Sequence, residues 1–78
     1  MSDIRKRCVD IFAKVMEVDS ATINVDTNPG NLSQWDSLSH VQLLVGLERE
    51  FSIEINPEEG MDLESFNLVY EFVKEKLS

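Results

Sequence analysis

At 78 residues with 42% apolar side chains, the chain is expected to fold as one small domain over residues 1–78, burying about 60–65% of its unfolded surface and leaving no room for a deep enzyme cleft. The formal net charge of −8 weighs against nucleic acid and anionic lipid, which both demand a basic surface, and favours basic partners. A single cysteine, Cys8, excludes an internal disulfide, and no terminal apolar run has the length of a signal peptide or membrane span, so a reducing cytoplasm is the expected setting.

The charge is also uneven, because between Met16 and Val73 twelve acidic residues stand against Arg49 alone. A solubilising surface accounts for this, and so does an electrostatic docking face for enzymes with basic patches.

Ser2 can cap a first helix whose apolar residues Ile4, Cys8, Ile11, Phe12 and Val15 follow the spacing of one buried face. On that face Cys8 reads as a small core residue rather than a reactive thiol. Arg5, Lys6, Arg7 and Lys14 form the main basic cluster, which a solvated outer face explains. The helix should fade around Val18, where Asp19-Ser20 supplies turn chemistry.

From Asp19 to Trp35 the chain reads as a long ordered loop, with Asn28-Pro29-Gly30-Asn31 as a strong turn signal and no helical period. Thr22 to Asp26 alternates like a strand but has no partner strand. Ile23, Val25 and Leu32 are therefore expected to peg the loop against the helices. Asp26-Thr27-Asn28 begins like a calcium loop, yet Asn31 stands where glycine is required and Ser37 where the final glutamate is required. Trp35 reads as a packing residue rather than a ligand platform.

Asp36 ends the loop just before a helical period, so its carboxylate can cap the first turn of a second helix running from Ser37 to about Phe51. Ser37 then falls at the first helical position, beside free N–H groups and the positive dipole end that favours a negatively charged substituent. Leu38, Val41, Leu44, Val45 and Leu47 are expected to form a wide apolar face of this helix. Gly46 inside it costs roughly 1 kcal/mol relative to alanine. Close approach of a helix or bound chain would explain it, and so would simple tolerance.

Pro57 can open one short helical turn through Met61, and Ser65 can cap a last helix with Phe66, Val69, Tyr70, Val73 and Leu77 on one face. Lys74 and Lys76 lie near its negative C-terminal end. The fold class is thus all-α, a bundle of three longer helices and one short one.

Asp36-Ser37-Leu38 followed by an amphipathic helix, together with Ile53-Glu54-Ile55, Pro57-Glu58-Glu59 and the terminal helices, resembles the acyl carrier proteins over nearly the whole chain. The resemblance implies a four-helix bundle with a long loop between its first two helices. It also implies that 4'-phosphopantetheine is attached at Ser37 and holds acyl groups as thioesters. By the same resemblance the second helix is a recognition element, with Asp36, Leu38, Val41, Glu48 and Glu50 meeting partners. Those partners would be a phosphopantetheinyl transferase and acyl-loading, condensing or transferring enzymes with basic docking patches. Leu47, Ile55, Met61, Leu63 and Phe66 are the implied lining of an acyl-chain groove. Trp35 before the motif is similar to carriers of specialised pathways rather than the fatty-acid carriers, where a small residue is usual. Ser39, Gln42 and Arg49 stand where the fatty-acid carriers have acids, so docking near Ser37 should rely less on charge.

Asp36, Ser37 and His40 are also the residue types of a hydrolytic triad, but three positions on one helix with no oxyanion hole or nucleophile elbow do not make one. The chain is therefore expected to be a monomeric carrier, not an enzyme, with neither nucleic acid nor membrane insertion. An aminoacyl or peptidyl carrier uses the same serine chemistry and stays open, as does an acidic helical interaction module without a prosthetic group.

Overall fold

The computed structural model of the chain describes residues 4–78, so the expected cap at Ser2 lies outside the described residues. They form four α-helices, α1 (Ile4–Met16), α2 (Ser37–Phe51), α3 (Pro57–Met61) and α4 (Phe66–Leu77), with a 3₁₀ turn at Ser20–Thr22. This is the expected all-α bundle, and the described residues contain no strand. None of these helices is long and apolar enough to cross a membrane.

α1 packs against both α2 and α4, and one apolar cluster lies between them. Cys8, Phe12 and Met16 supply its α1 side at i, i+4 spacing, while Ile4, Ile11 and Val15 are only partly buried. Phe12 sits at the centre. Its ring meets the edges or faces of Trp35 and Phe66 in T-shaped pairs with centroids 5.1 Å apart in each case, contacts that add about 0.5–1.5 kcal/mol each beyond area burial. Trp35 is accordingly a packing residue, 3% exposed.

The buried face of α2 differs from the expected one. Ser39, Leu43, Leu47 and Phe51 point inward, whereas Leu38, Val41 and Val45 are exposed and Leu44 is half-buried. The helix is apolar on most sides, so its period admits two faces. Leu43 and Leu47, which join Phe12 and Val69 in one buried cluster, belong to the second of them. Gly46 is explained by close approach: a Cβ there would lie 3.3 Å from Ile11 Cγ2 of α1.

The loop from α1 to α2 is held mainly by side chains acting on backbone. Ile23 and Leu32 are buried pegs as expected, but Val25 is 41% exposed and does not serve as one. Asn28 and Asn31 brace each other: Asn28 Oδ1 accepts from the Gly30 and Asn31 N–H groups, and Asn31 Oδ1 accepts from the Asn28 N–H. Both side-chain amides donate to the Asp26 carbonyl. Buried Thr27 then reaches α4, where its carbonyl accepts the Phe66 N–H at 2.8 Å, satisfying a donor that the helix start leaves free.

α3 begins as expected with Pro57 in its first turn, capped by Asn56 and Glu59 acting reciprocally. Ser65 caps α4 through the Leu68 N–H. On α4 Phe66, Val69 and Val73 are buried and Tyr70 is half-buried, but Leu77, in the last turn, is 42% exposed.

Candidate functional site

The loop delivers the chain to α2 through a reciprocal cap. Asp36 Oδ1 accepts the Ser39 N–H at 3.0 Å, and Ser39 Oγ accepts the Asp36 N–H at 2.8 Å. The Ser39 hydroxyl in turn donates to the Gln34 carbonyl at 2.7 Å, which ties the last loop residues to the first helical turn. The backbone N–H of Ser39 holds the exposed Asp36 carboxyl below its ordinary value of 3.8, with the Ser39 hydroxyl-side contact and the Leu38 N–H assisting and partial desolvation opposing. Asp36 is thus anionic and fixed at neutral pH.

Ser37 is the first helical residue and is exposed. Among the described residues its hydroxyl has no hydrogen-bond partner. Its neighbour Leu38 is 70% exposed, so the two residues together face solvent at the helix tip. An uncovered primary hydroxyl at the positive end of a fifteen-residue helix suits a phosphodiester: the substituent has open space, and the dipole favours its charge. The residues present therefore fit phosphopantetheine.

His40 does not serve Ser37. Its Nδ1 accepts the Trp35 indole N–H at 2.9 Å and its Nε2–H donates to the Gly60 carbonyl at 2.8 Å, so both ring nitrogens are engaged elsewhere. This bridge is not evident from the sequence, where the aromatic residue five positions earlier is its one visible signal. No triad is assembled.

Along α2 the exposed stripe after Ser37 consists of Leu38, Val41 and Val45. From Ser37 to Leu47 no side chain is charged. Glu48 and Glu50 lie about 16–20 Å further along the helix and are engaged inside the fold. Glu48 Oε2 accepts the Ile55 N–H at 2.8 Å, and Glu50 pairs with Arg7 at 2.8 Å. Arg7 also donates to the Glu50 carbonyl and lies over the Phe51 ring.

Of the groove residues, Leu47, Ile55, Leu63 and Phe66 are together in the buried cluster. Met61 is not, being 72% exposed on α3. The sequence missed Gly60, which is buried against α2 so closely that a Cβ would fall 2.5 Å from Leu44 Cδ1 and 3.5 Å from Ile55 Cγ2.

Residues 7–73 match the family model of the phosphopantetheine attachment site. Over its full length the chain is 30% identical to the acyl carrier protein of Amoebophilus asiaticus (strain 5a2), spanning 98% of that protein. It is 32% identical over 79 aligned positions to the acyl carrier protein of Treponema pallidum (strain Nichols), with both chains covered in full. The solution NMR structure of the holo acyl carrier protein from Geobacter metallireducens is similar at a TM-score of 0.84 and 29% identity, over 97% of this chain and 87% of that one. Fold, family match and full-length likeness agree with the exposed helix tip: the chain belongs to the acyl carrier proteins, which hold acyl groups on phosphopantetheine and are not themselves enzymes.

Proposed function

We propose that Ser37 Oγ is the attachment point of 4'-phosphopantetheine and that the tip of α2 presents the cargo to successive biosynthetic enzymes. The observation that carries the reading is the exposed hydroxyl without a partner at the first position of α2. When bound, the group supplies a flexible arm whose terminal thiol holds an acyl chain as a thioester. The chain's own residues do the rest. Asp36 and Ser39 fix the tip so that the hydroxyl is offered to a phosphopantetheinyl transferase in one orientation. Leu38 and Val41 make the short-range contact with that transferase and with acyl-loading, condensing or transferring enzymes. Glu48 and Glu50 enter recognition only as the distal charged edge of α2, since each already has a partner within the fold.

Leu47, Ile55, Leu63 and Phe66 form the apolar interior that shelters the acyl chain, and Met61 is an outer contact of α3. Sheltering needs only local opening, which a small bundle permits at less than the global unfolding free energy. A pathway of specialised acyl or polyketide synthesis is favoured over housekeeping fatty-acid synthesis by Trp35 and by the uncharged Ser39 and Gln42. The carrier works as a monomer in the cytoplasm, a setting in which free, buried Cys8 stays reduced.

Intact mass after incubation with coenzyme A and a phosphopantetheinyl transferase tests the reading. The chain is expected to gain one phosphopantetheine, and Ser37→Ala to gain none. An unchanged mass of the parent chain, or modification that survives Ser37→Ala, overturns the assignment.

A further inference from the structure

α3 is five residues long and packs least of the four helices against its neighbours. Contacts on both of its sides hold it. On the outer side Glu59 meets Lys76 of α4 at 3.5 Å, with both side chains about a third or more exposed, a pairing of little energetic weight in water. On the inner side buried Gly60 touches Leu44 and Ile55, and its carbonyl accepts the Nε2–H of His40 at 2.8 Å. That hydrogen bond joins α3 to the first turn of α2, three residues beyond Ser37.

The imidazole is itself set by a second partner. The Trp35 indole N–H can only donate, so Nδ1 must accept; the Gly60 carbonyl can only accept, so Nε2 must carry the proton. The Trp35 and His40 rings lie nearly parallel, 18° apart with centroids at 6.0 Å, and Trp35 is locked in the core by Phe12. Core, helix tip and α3 are thereby connected through one side chain whose two nitrogens have fixed and different duties.

We propose that His40 is a positioning residue that latches α3 over α2, so that one imidazole-to-carbonyl hydrogen bond gates access to the apolar interior beside Ser37. The mechanical half stands on the geometry alone; its consequence for cargo rests on Ser37 being the attachment point. Opening α3 breaks the Gly60 bond while Trp35 keeps the ring in place, and closing remakes it without a search for the rotamer.

The two nitrogens can be removed separately. In His40→Asn the side-chain oxygen stands near the level of Nδ1 and can still accept from Trp35, but nothing reaches Gly60. In His40→Gln the amide nitrogen stands near the level of Nε2 and can still donate to Gly60, while the buried Trp35 N–H loses its nearest acceptor. The latch predicts a crossing of two readouts in the unmodified full chain. His40→Gln has the lower thermal midpoint, because a buried donor is left unpaired. His40→Asn has the faster amide exchange at Gly60 and Asp62, on the order of three- to tenfold above the parent chain, as expected for one lost hydrogen bond. Exchange at those amides that merely follows the thermal midpoint in both variants, or that is unmoved in His40→Asn, overturns the latch.

With octanoyl-phosphopantetheine attached, hydroxylamine should cleave the thioester faster in His40→Asn than in His40→Gln. Equal rates overturn the gate. A chain that cannot be modified at all defeats the attachment reading instead, and leaves the exchange comparison intact.

Discussion

Two serines two positions apart have opposite duties at the start of α2, and only burial separates them. Ser39 is 8% exposed and closes the cap by accepting from Asp36 and donating to Gln34; Ser37 is exposed and makes neither contact. Cys8 shows the same rule in another residue type: burial pushes its thiol up to about 12, despite the opposing charge of Arg7, so it is inert where the prosthetic thiol has to be reactive. Asp36 carries a pH dependence of definite sign. Its carboxyl lies below 3.8 in the fold because the Ser39 N–H favours the anion, so the stabilisation is complete above 3.8 and is lost as pH falls through the lower folded value. Urea unfolding of the parent chain and Asp36→Asn across the acid range checks this. The stability difference between them should hold steady above 3.8 and shrink below it, and a difference that grows on acidification contradicts the cap.

α1 and α2 end in the same way, and neither ending uses glycine. The Val18 N–H donates to the Ala13 carbonyl and the Ile53 N–H to the Glu48 carbonyl, each closing a six-residue Schellman turn with Glu17 or Ser52 in the left-handed region at φ 59° and 53°. A side chain there is strained, so Ser52→Gly is expected to raise stability by about 0.5–1 kcal/mol after the entropic cost of glycine is subtracted. A denaturant midpoint at or below that of the parent chain would count against the strain. The ends of α2 were legible because Asp36 is a capping residue and Pro57 follows soon after the last turn. Its buried face was not legible, since Leu38, Val41, Leu43, Leu44, Val45 and Leu47 leave the apolar period ambiguous and only α1 and α4 decide between the stripes. The place of Ser37 at the start of a helix was readable from the capping residue Asp36 and the apolar period that follows it. His40 was not, because its partners Trp35 and Gly60 meet only when α3 folds back on α2. The Asn28–Asn31 brace escaped for a related reason: a turn signal marks where the chain bends, but not which backbone groups its amides will satisfy.

Charge is partitioned across the molecule between a strongly acidic whole and an uncharged apolar stripe on α2 beside Ser37. The net charge of −8 acts over distances of about a Debye length, roughly 10 Å at 0.1 M salt. The exposed side chains of α2 nearest Ser37 are instead Leu38, Val41 and Val45, with no charge before Glu48, and under the proposed function Leu38 and Val41 are the ones a partner would touch. The two parts should govern different rate constants: long-range attraction speeds encounter with a basic transferase, and apolar contact sets how long the complex lasts. Raising salt from about 0.05 M to about 0.5 M is therefore expected to lower the association rate severalfold while the dissociation rate stays within about twofold. Val41→Ala, at a position 57% exposed where no core contact is removed, should do the reverse, hastening dissociation and leaving the salt dependence of association unchanged. Surface-plasmon kinetics with an immobilised phosphopantetheinyl transferase separates the two constants. A dissociation rate that climbs steeply with salt would mean that ion pairs, and not the apolar stripe of α2, close the complex.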